Sequence, residues 1–99
     1  MRKSTVYSYI GYAIKSRKIL YGVDNIIGSK ACFVVLYDEN LGKSSLDKLT
    51  VNLKKRNIKG YRITVEDYYP QRNCKALGIT EKNLASAIVK EMEESSINE

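Results

Sequence analysis

The segment 16–30, SRKILYGVDNIIGSK, carries residue types that can bind an anion. Lys15, Arg17 and Lys18 lie together just before an apolar stretch, and Gly22 follows that stretch directly ahead of a predicted short helix. Unpaired backbone N–H groups and the positive end of the helix dipole attract phosphate at a helix start. Cations followed by such a helix start are typical of a surface that contacts a phosphate backbone.

The charge of the whole chain favours the same kind of partner. The net charge is +6, and it is uneven, because residues 1–80 have a balance of +9 and residues 81–99 a balance of −3. A basic body suits a polyanion, and RNA is the commonest one in cells. The alternative is an ordinary protein with surplus lysine on its surface.

Groups for catalysis or metal binding are scarce. The chain has no histidine, which removes the Ser–His and Cys–His nucleophile pairs and nearly every zinc pattern. Cys32 and Cys74 are far apart, and we interpret both as reduced thiols in a cytosolic protein, with Cys32 packed in the core. The acidic pairs at 38–39 and 66–67 fall in predicted loops, where carboxylates are usually solvated. We therefore expect a protein that is not an enzyme and uses no cofactor or metal.

One stretch partly matches a nucleotide-binding loop. In YDENLGKSS, the residues Gly42, Lys43 and Ser44 fit the end of the pattern G-x-x-x-x-G-K-[ST], but Tyr37 replaces the first glycine. That glycine lets the backbone curl around a phosphate. We interpret the stretch as a turn before a helix whose Ser44 and Asp47 have capping-box spacing, and we keep nucleotide binding as a minor alternative.

Tyrosine is unusually frequent, with eight tyrosines against one phenylalanine. A tyrosine ring can stack on a base while its hydroxyl stays in water. Tyr7, Tyr9 and Tyr12 fall on more than one face of the first predicted helix, so at least one should be exposed. The alternative is that most of these tyrosines replace phenylalanine at the edge of the core.

The apolar pattern predicts eight elements that would position these groups. The predicted helices are 4–17, with Ser4 as N-cap, 23–30, 45–57 and a last helix capped by Thr80; the predicted strands are 18–22, 31–37, 60–65 and 74–79. The order α-β-α-β-α-β-β-α predicts an α/β fold, a three-layer α/β/α sandwich around a mixed sheet of about four strands.

The sequence pattern predicts one domain over residues 1–94 and a frayed acidic tail over 95–99. No apolar run approaches the roughly 20 residues that span a bilayer. The N-terminus lacks the continuous apolar region of a signal peptide. We therefore expect a cytoplasmic protein with no membrane partner.

Three runs in the chain together resemble a known family. They are IGYAIKSRKILYGVDNIIGSKACFVVLYDEN, LKKRNIKGYRI and LGITEKNLASAIVKEM. In order and spacing they are similar to the kink-turn-binding ribosomal proteins, the group of L-seven-Ae and L-thirty-e, and most of all to the bacterial YlxQ-like members. The resemblance covers residues ~7 to 92. It implies an α/β/α sandwich that binds structured RNA, including ribosomal RNA, in association with the ribosome or its proteins.

The resemblance also implies two RNA-binding surfaces. In the family, the helix start after the glycine reads a bent RNA with tandem sheared G·A pairs, and the loop before the last helix closes over an extruded base. On this chain the first surface is Lys18, Gly22, Val23, Asp24, Asn25 and Gly28, and the second is Arg72, Asn73, Cys74 and Lys75. Phosphate contacts would come from Lys15, Arg17, Lys18 and Lys30.

The first surface departs from the archaeal pattern G-[ST]-N-E-x-[ST]-K. The Asn-Glu pair has become Asp24-Asn25, which still offers acceptors and an amide to base edges. The closing lysine has become Gly28. The alternative function is therefore a protein–protein interaction module that keeps the fold and has lost specific RNA recognition.

Overall fold

A mixed sheet of four strands forms the middle of the computed structural model, which describes residues 2–65 and 74–97. The strands are β1 (Ile19–Tyr21), β2 (Val34–Asp38), β3 (Lys59–Ile63) and β4 (Ala76–Ile79). Their order in the sheet is β1-β4-β2-β3. Strand β4 runs antiparallel to both of its neighbours, and β2 runs parallel to β3. The predicted α/β fold with a mixed sheet is confirmed.

Helices cover the sheet. They are α1 (Arg2–Lys15), α2 (Val23–Gly28), α3 (Lys43–Arg56) and α4 (Lys82–Ile97). Within the described ranges the elements follow the predicted order. None of the helices found in 2–65 and 74–97 combines the length and the apolar character that a membrane span requires.

The alternation of side chains along the strands creates two cores, one on each face of the sheet. Val34 and Leu36 of β2 belong to one core, which also receives buried side chains of α1 and α4. Val35 points to the opposite face and packs with Ile26 of α2 and with residues of α3. Cys32 is buried in this second core, as the sequence predicted.

Gly78 of β4 allows α2 to approach the sheet closely. A Cβ at this position would lie 3.0 Å from Cys32 Sγ and 3.0 Å from Ile26 Cγ1, and both of these side chains are buried. A Cβ this close would require the side chains of Cys32 and Ile26 to shift. The packing of α2 against β4 therefore depends on a glycine at position 78.

Two helix starts differ from the prediction. Helix α1 already begins at Arg2, so Ser4 lies inside it. Helix α3 begins at Lys43, with Gly42 as an N-cap that makes no side-chain hydrogen bond, so the predicted capping box at Ser44 and Asp47 is wrong. The physical reason is a tight turn after β2, in which the N–H of residue 40 donates to an Asp38 carboxylate oxygen at 2.8 Å. This turn ends the loop early enough for the helix to start two residues before position 45.

The start of α4 is capped by Glu81 rather than by the predicted Thr80. The Glu81 carboxylate accepts hydrogen bonds from the N–H groups of Asn83 and Leu84, each at 2.9 Å, and these bonds lower the pKa of Glu81. Thr80 instead extends the β1–β4 pairing, since its N–H donates to the Lys18 carbonyl at 3.0 Å. The helix continues to Ile97, within the predicted tail over 95–99, and residues 98–99 lie outside the described ranges.

Replacing Gly78 tests the packing of α2. We expect Gly78→Ala to lower the free energy of unfolding by about 1–3 kcal/mol, because the methyl group overpacks the core. The control is Gly11→Ala in α1, where a Cβ meets no atom within 4 Å; it should stabilise the protein by about 0.5–1 kcal/mol. Urea unfolding followed by circular dichroism measures both changes. A Gly78→Ala variant as stable as the parent would contradict the close approach of α2.

Replacing Glu81 tests the cap of α4. Glu81→Gln should lower the melting temperature at neutral pH, because an amide is a weaker acceptor than a carboxylate. Since the folded-state pKa of Glu81 lies below its ordinary value, its stabilisation is present above that value and is lost as the pH falls through the folded-state pKa. The difference in melting temperature between the parent and Glu81→Gln should therefore shrink in acid, as the pH falls below the ordinary pKa of a glutamate side chain.

The matched control for Glu81→Gln is Glu39→Gln, which changes an exposed carboxylate in the loop after β2. Calorimetry of the parent and both variants over an acidic pH series makes the comparison. A melting difference for Glu81→Gln that stays constant down to acid pH, or one that Glu39→Gln reproduces, would contradict the role of the Glu81 carboxylate.

Candidate nucleic-acid interface

A cleft of about 850 Å³ opens at the end of the sheet where β1 and β2 finish and β4 begins. We call it the α2/α3 cleft. Its lining comes from the start of α2, from the turn after β2 with the first part of α3, and from the residues that lead into β4. These residues are Gly22–Asn25, Asn40–Gly42, Ser44, Ser45, Lys48 and Cys74–Ala76.

Backbone hydrogen bonds from the start of β4 hold both sides of the cleft. The Gly22 N–H donates to the Ala76 carbonyl at 2.9 Å, and the Asp38 N–H donates to the Lys75 carbonyl at 2.8 Å. The first bond joins the two segments that the sequence singled out as separate surfaces. Gly22, Val23, Asp24 and Asn25 therefore share one cleft with Cys74 and Lys75.

Both α2 and α3 begin at this cleft. Their N-caps are Gly22 and Gly42, and neither makes a side-chain cap hydrogen bond. Backbone N–H groups in the first turns are thus left without the acceptor that a capping Ser, Asp or Asn would supply. Gly22 has φ 91° and ψ 151°, a backbone conformation that is essentially restricted to glycine.

Charges within the cleft are partly paired. Lys48 Nζ donates to an Asp24 carboxylate oxygen at 2.8 Å; this hydrogen bond and the lysine charge hold the pKa of Asp24 below its ordinary value. Lys75 is exposed and makes no ion pair within the described ranges. The Asn25 side-chain amide donates to the Tyr21 carbonyl at 2.7 Å. The cleft therefore offers an amide and one cation that α3 does not neutralise.

Helix α2 is fastened to α3 at both of its ends. The exposed Asp24–Lys48 ion pair joins the first turn of α2 to the second turn of α3. At the other end, the Arg56 guanidinium of α3 donates to the carbonyls of Ile26 and Ser29, and also to the Asn52 amide oxygen at 3.0 Å. Arg56 thereby caps the C-terminal carbonyls of a helix that has only six residues.

The predicted basic cluster does not lie in the cleft. Lys18 precedes Ile19, which pairs with Ile79 at the far end of β4, whereas the cleft is beside Tyr21. Lys15 and Arg17 lie before Lys18 in the chain, so they are on the same far side. Gly28 is the last residue of α2 and Lys30 follows the helix, so both are at its far end and do not line the cleft. Arg72 and Asn73 lie outside the described residues.

Two tyrosines of α1 are exposed, which confirms the prediction for that helix. Tyr7 and Tyr12 face solvent, and Tyr9 packs at the edge of the core, as the alternative interpretation proposed for most tyrosines. None of the three lines the α2/α3 cleft.

Sequence reasoning left the third segment of the cleft, which includes Asn40, Ser44 and Lys48, out of both RNA-binding surfaces and interpreted residues 37–45 as a turn before a helix. The signal that could have found it is topological. Loops after strands that run in the same direction meet at one edge of a sheet, and ligands often bind there. Strands β1 and β2 both run antiparallel to β4, so the loops that follow them lie on either side of it.

Comparison with known proteins supports the fold. No protein-family model matches the sequence, and no curated protein matches it. Among solved structures, a protein with unknown function from Bacillus halodurans C is similar with a TM-score of 0.83 and 13% sequence identity. The match covers 89% of this chain and 96% of the other. At this identity the similarity establishes a shared architecture only.

Replacing Gly22 tests the backbone at the cleft. We expect Gly22→Ala to cost about 1–3 kcal/mol of unfolding free energy, because alanine is strained at this φ and ψ. A Cβ there would meet no atom within 4 Å, so the cost is conformational rather than steric. Gly28→Ala, at a glycine without positive φ, is the control and should be neutral or stabilising by up to about 1 kcal/mol. Equal urea midpoints for both variants would contradict the Gly22 conformation.

Proposed function

We propose that this chain is a small, non-enzymatic, cytoplasmic RNA-binding protein that recognises structured, kink-turn-like RNA at the α2/α3 cleft. The observation that carries this proposal is the meeting of two segments about fifty residues apart. Gly22–Asn25 and Cys74–Lys75, which the family resemblance associates with RNA, line one cleft. The resemblance to kink-turn-binding ribosomal proteins makes ribosomal RNA the favoured ligand and the ribosome the favoured location.

The chemistry of the cleft suits a bent RNA. Exposed base edges need hydrogen-bond donors and acceptors, which the Asn25 amide and the hydroxyls of Ser44 and Ser45 supply. The uncapped starts of α2 and α3 supply backbone donors and positive dipole ends. Lys75 is suited to a phosphate contact, which would position the RNA without reading its sequence.

A second candidate function is a protein–protein interaction module that keeps the fold. The Asp24–Lys48 ion pair favours it, because a carboxylate repels phosphate and the pair neutralises one of the cleft's cations. A protein partner could use the same cleft through polar contacts.

Binding measurements on two labelled RNA hairpins test the proposal. One contains a kink-turn with tandem G·A pairs, and the other has the same length with a continuous duplex. We expect tighter binding to the kinked hairpin. Lys75→Gln should weaken binding to both and flatten the slope of log K against log salt by about 0.9, the loss of one phosphate contact. Fluorescence anisotropy over a salt series measures these quantities.

The matched control is Lys54→Gln, which removes one exposed lysine from the last turn of α3, away from the cleft. It should leave the affinity for the kinked hairpin nearly unchanged. Equal affinity for the two hairpins would remove kink-turn specificity. The RNA proposal fails if neither hairpin binds at low ionic strength, and the protein–protein candidate then takes its place.

A further inference from the structure

A second groove, of about 530 Å³, lies between α4 and the starts of β2 and β3. We call it the α4 groove. The residues of its lining that matter here are Phe33, Lys59, Lys82, Val89, Lys90 and Glu93. Val34 pairs with both Ile79 and Lys59, so this groove is at the end of the sheet opposite to the α2/α3 cleft. The two sites share no lining residue.

Phe33 is the one phenylalanine of the chain, and its side chain is 44% exposed. Its backbone is held in place, because the Phe33 N–H donates to the Ile79 carbonyl at 2.9 Å. The neighbouring Cys32 and Val34 are buried. The sheet therefore holds the backbone of Phe33 at the position where its exposed side chain lines the groove.

Three lysines line the groove together with this ring. Lys59 forms an ion pair with Glu93 at 2.6 Å, and Glu93 also accepts a hydrogen bond from the Tyr61 hydroxyl at 2.7 Å. Lys82 and Lys90 are exposed, lie on one face of α4, and make no ion pair within residues 2–65 and 74–97. They are the cations of the groove that remain available to a ligand.

The wider surface around the groove is also basic. The end of α1, the segment after α2 and the start of α4 all lie at this end of the sheet. The acidic residues in or beside the groove are Glu81, Glu91, Glu93 and Glu94. The basic residues at this end are Lys15, Arg17, Lys18, Lys30, Lys59, Lys82 and Lys90. The predicted basic cluster thus belongs to this end of the molecule.

We propose that the α4 groove binds single-stranded nucleic acid. The Phe33 ring stacks on a base, and Lys82 and Lys90 contact phosphates. An exposed aromatic ring within a positive groove is the arrangement that binds single strands without strong sequence preference. An acidic peptide would satisfy the lysines but would give the ring no planar partner. The apolar lining beyond Phe33 is only Ala85 and Val89, which is little for a peptide side chain. The inference does not rest on the function proposed for the α2/α3 cleft.

The test uses the full chain with labelled oligouridylate and oligothymidylate of equal length, measured by fluorescence anisotropy over a salt series. Phe33→Ala should weaken binding about 5- to 150-fold, the range for one lost base stack, and Phe33→Tyr should retain the affinity. The double variant Lys82→Gln/Lys90→Gln should flatten the salt slope by about 1.4, since each phosphate contact on a single strand contributes about 0.7.

Two controls separate this site from the rest of the surface. Val51→Ala removes an apolar side chain that is 63% exposed on α3, and Lys54→Gln removes an exposed lysine of α3 that lines neither the α2/α3 cleft nor the α4 groove. Both should bind the oligonucleotides as the parent does. Melting curves check the fold of every variant, and the exposed positions of Phe33, Lys82 and Lys90 should leave it intact.

Binding of both oligonucleotides, or a preference for the RNA through its 2′-hydroxyl groups, supports the proposal. No binding at low ionic strength overturns it. So does unchanged affinity in Phe33→Ala, or oligoglutamate binding as tight as oligonucleotide binding. Failure of the kinked-hairpin experiment leaves this result unaffected, because hairpin recognition is assigned to the α2/α3 cleft and oligonucleotide binding to the α4 groove.

Discussion

The insertion of β4 between β1 and β2 is the constraint on which the molecule depends. All four residues of β4 are buried, and the strand pairs along both of its edges. Strand β1 has three residues, and among residues 2–65 and 74–97 the one strand that pairs with it is β4. Gly78 lets Ile26 of α2 pack closely against the same strand. One short buried strand thus fixes the position of three other elements.

The two candidate sites are at the two ends of this strand. At its start, the carbonyls of Lys75 and Ala76 hold the loops of the α2/α3 cleft. At its end, the Ile79 carbonyl holds Phe33 beside the α4 groove, and the Thr80 N–H bonds to the carbonyl of Lys18. The same series of backbone hydrogen bonds therefore positions the α2/α3 cleft at one end of the sheet and the lysine-lined α4 groove at the other.

Apolar periodicity was sufficient to predict the fold class and the order of elements, but it could not predict the helix starts. Those depend on individual hydrogen bonds, such as the Glu81 cap and the Asp38 turn. The cleft was predicted in part, because Gly22 and Lys75 lie in segments that the family resemblance assigns to RNA binding. Ser44 joins them only through the strand order, which the sequence does not reveal. The basic cluster was predicted to lie beside Gly22 because the two are close in the chain. Strand β1 separates them, since it runs from one end of the sheet to the other.

The double attachment of α2 to α3 has a consequence for ligand binding. A helix of six residues has little stability by itself, yet Lys48 holds its beginning and Arg56 holds its last carbonyls. The Asp24–Lys48 pair is exposed and adds little, whereas the Arg56 hydrogen bonds and the burial of Ile26 in the core that it shares with α3 hold α2 in place before any ligand arrives. A ligand that enters the cleft therefore spends less of its binding free energy on ordering α2.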